Sequence, residues 1–187
     1  MSDENALIAE LDAAIAACND ESLARTAEAI DRHAFDLGVF PRGLFAAVVA
    51  ALASEHLQAL PNSLPLIKIF EYELDLLTTE QRYVLGQTLL SAMPRLTDEI
   101  ATFLTAELVC DLLPAARVRD QLDKLAIGAA EPILLSIVHA WDWLAKRNND
   151  DNLLLAACLA ALHALSKHPS SAVAAEAAAA VRRRFPA

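Results

Sequence analysis

The chain has 187 residues, with 25 Asp and Glu against 15 Lys and Arg, a net charge of −10. It is 56% apolar but only 5% aromatic, with four glycines, so Leu and Ala dominate. That balance favours helix over sheet, supplies enough apolar surface for one buried core, and argues against a nucleic-acid backbone as partner.

The charge is unevenly spread. Residues 1–111 carry 18 acids and 6 bases, whereas residues 112–187 carry 7 acids and 9 bases. An acidic half suits solubility or a basic partner. The opening MSDENALIAEL has no basic stretch leading into an apolar one, so no export signal is expected and a cytoplasmic location follows. Cys18, Cys110 and Cys158 lie far apart among apolar helical neighbours, without CxxC spacing. They are expected to be reduced, buried thiols.

In chain order, a first helix starts at Ser2 as N-cap, with Leu7, Ile8, Leu11 and Ile15 as its stripe. Asn19-Asp20 ends it, and a second runs from about Glu21 to Phe35, closing near Gly38. A third covers Leu44 to Leu60, apolar on Val48, Val49 and Leu52, before Pro61-Asn62-Ser63 resets the chain. Pro65 suits the first turn of a fourth helix reaching Leu77. Thr78 with Gln81 forms a capping-box pattern for a fifth, which stops at Met93-Pro94. Thr97 caps a sixth that continues to Pro114, and a shorter seventh covers Ala116 to Ala126. Gly128 and Pro132 lead into an eighth, ending at Arg147.

After the polar run Asn148 to Asp151 comes a ninth helix with almost no polar face. Leu153, Leu154, Leu155, Leu159, Leu162 and Leu165 fall all round its wheel, so it is expected to be covered on every side. It is too short and Ala-rich to cross a membrane. His163 on this helix reads as a core histidine. A tenth helix, Ala172 to Arg184, ends in three arginines, which the helix dipole favours there.

Helices one, three, five, seven and nine begin near 3, 42, 79, 116 and 151. A recurrence of about 35 to 39 residues is the mark of stacked antiparallel helix pairs. The last pair, with Pro169-Ser170 before Ala174-Ala175 and Arg182-Arg183, resembles HEAT and armadillo repeats. The chain lacks their regular inter-helix Asp and Arg. The expected fold is therefore all-α, a right-handed α-solenoid or HEAT-like bundle of about five helix pairs, with residues 1–187 as a single domain. An irregular ten-helix globule is the alternative.

Several residues depart from this helical pattern. On the fourth helix Lys68, Glu71 and Asp75 form a solvent face, but Glu73 projects among Leu66, Phe70, Leu76 and Leu77. On the sixth, Glu107 and Asp111 sit among Ile100, Phe103, Leu104 and Leu108. A carboxylate in an apolar arc must be paired, protonated or at a groove edge. Arg82, Arg95, Arg117 and Arg119 are available partners. Otherwise these acids line a groove for Lys or Arg of another protein. On the eighth helix Trp141 belongs to the core, whereas Trp143 falls opposite it, either packed on a neighbouring repeat or an interface anchor. His139 and Asp142, three apart, could hydrogen-bond, but a lone His–Asp pair without a nucleophile does not mark a catalytic site.

The candidate partner-binding residues are thus Glu71, Glu73, Asp75, Glu107, Asp111, Asp142 and Trp143. No HExxH, EF-hand, phosphate-loop or nucleophile–base pattern is present, so no metal, cofactor or catalytic role is expected. In size, charge and architecture the chain resembles small acidic bacterial immunity proteins, which neutralise a basic toxin domain by covering its active surface. That resemblance implies a protein-binding module with a basic partner and neither nucleic acid nor membrane. An adaptor or assembly subunit is the alternative. Catalysis on a HEAT-like fold, as in the DNA glycosylases of similar layout, would need a basic concave face, and here the corresponding helices are acidic.

Overall fold

The computed structural model describes residues 3–60, 62–96 and 98–185, and all regular structure among them is helical. The order is α1 (Asp3–Ala16), α2 (Asp20–Leu37), α3 (Arg42–Ala53), α4 (Leu64–Lys68) and α5 (Thr79–Ala92). Then follow α6 (Glu99–Leu112), α7 (Ala115–Leu125), α8 (Glu131–Arg147), α9 (Asn152–Leu165) and α10 (Ser171–Arg184). The odd-numbered helices α1, α3, α5, α7 and α9 begin at 3, 42, 79, 115 and 152, within a residue of the expected spacing.

Local chemistry sets most of these ends. Asn19 Oδ1 accepts the Ser22 N–H at the start of α2, and Gly38 closes that helix at φ +65°. Thr78 and Gln81 bond reciprocally, as the capping box requires. Asp98 Oδ1 accepts the Ala101 N–H at 2.6 Å, Asp151 caps α9 and Ser170 caps α10. The expected caps at Ser2 and Thr97, and the break at Pro61, lie outside the described residues.

The chain divides into two compact units, residues 1–108 and 109–187. In the first, α3 packs on both α1 and α5, while α2 packs on α1 and α4 on α2. Leu11, Leu23, Ile30, Leu44, Leu52 and Leu85 are fully enclosed between these helices. Phe40, Phe45 and Phe70 form an aromatic cluster, with Phe40 and Phe70 stacked at 5.3 Å. Helices α3 and α5 run in parallel. Gln81 Nε2, in the first turn of α5, donates to the Phe40 carbonyl just before α3, and Arg95 beyond α5 reaches the far end of α3.

In the second unit α8, α9 and α10 pack on one another and α7 packs on α8. Ser170 Oγ donates to Glu131 Oε2 at 2.6 Å, joining the starts of α10 and α8. Arg183 and Arg184 reach Asp142 farther along, so these two helices are also parallel.

Four expectations need correction. The third helix stops at Ala53, not Leu60, because the Arg95 guanidinium takes the carbonyls of Leu52, Ala53 and Ser54 at 3.1, 3.2 and 2.8 Å. Ser54 then caps a short 3₁₀ turn. The ninth helix is covered along one seam, Leu154, Cys158 and Leu162, while Leu153 is 86% exposed and His163 lies in solvent rather than in the core. Alanine can face water at little cost, so an Ala-rich helix does not need cover on every side. The sixth helix buries Ala101, Thr105, Leu108, Val109 and Leu112, and Ile100 is 62% exposed. Its close-packed side is the one with small residues, opposite the arc that carries Glu107 and Asp111.

The fourth concerns Cys18, which is exposed at φ +47° in the turn after α1, while Cys110 and Cys158 are buried. Burial pushes the Cys158 thiol up to about 11. A thiol reagent applied to the native protein is therefore expected to titrate one cysteine quickly, and all three only in denaturant. Mass spectrometry of the labelled chain checks both the number and the position.

Candidate functional site

The fourth helix, expected to run to Leu77, ends at Lys68. Leu66, Ile67, Ile69 and Phe70 are all buried, and continuing the helix would bring Glu73 round between Ile69 and Phe70. An unpaired carboxylate there would cost several kcal/mol. The backbone avoids this with a turn, closed by Phe70 N–H to Ile67 O and Glu71 N–H to Lys68 O, followed by a 3₁₀ turn at Leu74–Leu76. Glu73 thus stands at the head of this 3₁₀ turn, without a side-chain capping bond, instead of lying in a helical arc.

That segment forms one side of a cleft of about 300 Å³ against α2. Ala24, Ala27, Leu64 and Ile69 give it apolar walls. Glu28, Asp31 and Glu71 supply acids, Lys68 is the base among its lining residues, and Tyr72 stands exposed at its edge. Glu71 Oε2 is buried with no hydrogen-bond partner among the described residues. Burial raises the Asp31 carboxyl above its usual range, and the charge of Glu28 adds to this. Glu73 is raised by burial and then by the charge of Asp31. The Tyr72 phenol is raised chiefly by the charge of the neighbouring Glu71. The Glu28–Arg32 pair beside the cleft, at 2.8 Å, is largely solvated on both sides.

The seven candidate residues are divided between the two units, four in the first and three in the second. Glu71 lines this cleft together with Glu28 and Asp31 of α2, neither of which the sequence analysis singles out, and Glu73 stands near enough to Asp31 to feel its charge. Asp75 is fully exposed and pairs with Arg82 at 2.9 Å. Glu107 is half-buried on α6.

The remaining three lie in the second unit and make internal contacts. Asp111 accepts from Arg147 Nε at 2.7 Å and Trp143 Nε1 at 3.3 Å. Lys146 Nζ sits 4.1 Å from the centre of the Trp143 ring, and His139 flanks it at 6.3 Å. Asp142 is only 5% exposed and is held by Arg184 Nε at 2.6 Å and an Arg183 terminal nitrogen at 3.1 Å. The same Arg183 nitrogen also donates to Glu176 at 2.9 Å.

Among the described residues no group of three or more His, Cys, Asp or Glu is arranged to hold a metal ion, and no helix is long and apolar enough to cross a membrane. The chain matches no family model, no curated protein and no solved structure.

Two predictions follow from the burial of these acids. Asp142→Asn leaves two guanidinium groups without their carboxylate, and both are partly solvated. It is expected to cost about 2 kcal/mol in urea unfolding, against less than about 0.5 kcal/mol for Arg32→Ala in the exposed pair. Asp31 and Glu73 hold their protons more tightly folded than unfolded, so their contribution to stability is greatest at acid pH and is lost as pH rises through the raised values. Asp31→Asn and Glu73→Gln should therefore raise the melting temperature at pH 7, with the gain shrinking towards about pH 3.

Proposed function

We propose that the protein is a binding module whose α2/α4 cleft receives a Lys- or Arg-bearing segment of a basic protein. The observation that carries this reading is Glu71 Oε2, buried and without a hydrogen-bond partner among the described residues, in an apolar-walled cleft that also holds Asp31 and Glu28. A long basic side chain fits such a place, with its methylene stem on the walls and its charge on the carboxylates. The unit around it adds a long-range field, with 17 acids against 6 Lys and Arg in residues 1–108, a net of −11. Opposite charge speeds encounter, and a few desolvated contacts supply affinity.

The parallel pairs α3/α5 and α8/α10, each two helices apart in the chain, support a HEAT-like stack of helix pairs as the underlying architecture. In its most concrete form the module is an immunity protein, held in the cytoplasm, that covers the active surface of a basic toxin domain. An adaptor with a different basic partner has the same cleft and the same chemistry.

The test is affinity capture from the native cell with the natural chain and with Asp31→Asn/Glu71→Gln. The expected result is a basic protein bound by the natural chain, displaced by high salt, and held at least roughly tenfold more weakly by the double variant. For an immunity protein, the captured partner is toxic when produced alone, and co-production of the natural chain relieves it. Binding that ignores both salt and the two substitutions would overturn the cleft reading.

A further inference from the structure

On the other layer of the first unit, α3 and α5 enclose a groove of about 700 Å³. Phe40 and Phe45 form its buried floor, and Val39, Ala46, Ala50 and Val84 stand exposed along its walls. This is apolar surface left open to water, and next to it Tyr83 is 47% exposed. Two charges line it, Arg42 in the first turn of α3 and Glu80 in the first turn of α5. Neither makes an ion pair among the described residues, although they are opposite in sign and line the same groove.

The direction of the helices decides what this arrangement fits. Because α3 and α5 are parallel, Arg42 and Glu80 sit at the same end of the groove, one on each wall. A two-fold axis lying along the groove would place α3 of one copy over α5 of another. It would bring each Arg42 to the other copy's Glu80, and the two helix pairs would close a four-helix arrangement around the apolar centre. A groove carrying one charge of each sign, arranged this way, is complementary to itself.

We propose that the α3/α5 face is a homodimer interface of this kind, with two Arg42–Glu80 pairs side by side at one end of an apolar centre. Helices of 12 and 14 residues span only about 20 Å, so the interface is small and the association is expected in the micromolar range. The net charge of each chain opposes pairing, which ions screen beyond about 8 Å at physiological salt. The proposal does not depend on the acidic cleft, which lies on α2 and α4.

The experiment is sedimentation equilibrium at physiological salt, up to roughly 100 μM. The natural chain is expected to move from the 20.1 kDa chain mass to twice that value as concentration rises. Arg42→Glu and Glu80→Arg should each weaken the dimer about tenfold, and combining them should restore it. Ala50→Arg, at an exposed position, should leave the circular dichroism melt of the monomer unchanged and abolish the dimer. A chain that stays monomeric throughout overturns the proposal and leaves the groove to a different protein. A dimer indifferent to Ala50→Arg, or a double charge swap that does not restore association, overturns it as well.

Discussion

The first unit depends on the burial of Phe70 against Phe40 and Phe45. The three rings lie within 6.2 Å of one another, and Phe40 and Phe70 are almost fully enclosed. Each ring removes a large apolar area from water, and the contacts between them add about 0.5–1.5 kcal/mol per pair beyond that burial. Phe40 precedes α3, Phe45 is on α3, and Phe70 follows α4, so the cluster joins segments far apart in the chain. With Phe70 fixed inward, the residues after it must either continue as helix and bury Glu73 or turn away. They turn away, and the turn builds the acidic side of the cleft. Packing thus determines where the carboxylates stand.

Polar ties at helix ends then hold the parallel neighbours in register. Arg95 gives three hydrogen bonds to carbonyls at the end of α3, groups that helix geometry leaves unsatisfied. At the other end of α3, Glu4 from α1 accepts the Leu44 N–H, and a Cβ at Gly43 would collide with that carboxylate. In the second unit Ser170–Glu131 and Asp142–Arg183–Arg184 do the same for α8 and α10. The ties differ in weight. Asp142 is enclosed, so its partners matter to stability, whereas Arg32 and Glu28 are each about 70% exposed and water competes for both.

The helix-pair spacing was legible in the sequence because local signals mark it. Asn19, Gly38, Thr78–Gln81, Asp151 and Ser170 act on neighbouring backbone alone, and each is found where its chemistry implies. What failed depended on distant contacts. Nothing near Ser54 indicates that Arg95, some forty residues later, will end α3. The α6 wheel was read by the size of its apolar residues, but close helix contacts favour Ala101, Thr105 and Ala106 over Ile100. The α9 wheel was read by apolarity alone, which gives alanine the same weight as leucine. Cys18 looked buried by its neighbours, yet it occupies the left-handed position after a helix end. Glu73 is the instructive case. Its misfit within a helical arc was visible from sequence, and the physical resolution was to end the helix rather than pair the acid.

That resolution leaves a cost in place. The turn moves Glu73 to a half-buried position, but burial still raises both Glu73 and Asp31, and Glu71 retains a buried oxygen with no partner among the described residues. Arg82 is committed to Asp75, Arg95 to the α3 carbonyls, and Arg32 to Glu28 beside the cleft. Lys68 is at hand but exposed. A fold selected for stability alone would gain by replacing these acids with amides or alanines. A cation brought from outside acts on the same groups in the opposite sense, since it favours their charged forms and lowers the raised values. The desolvation that weakens the free protein would then become binding energy, without any rearrangement of the helices. This connects the Phe70 packing to the proposed function, because the turn around that buried ring sets Glu71 opposite Glu28 and Asp31 of α2 in one apolar-walled cleft.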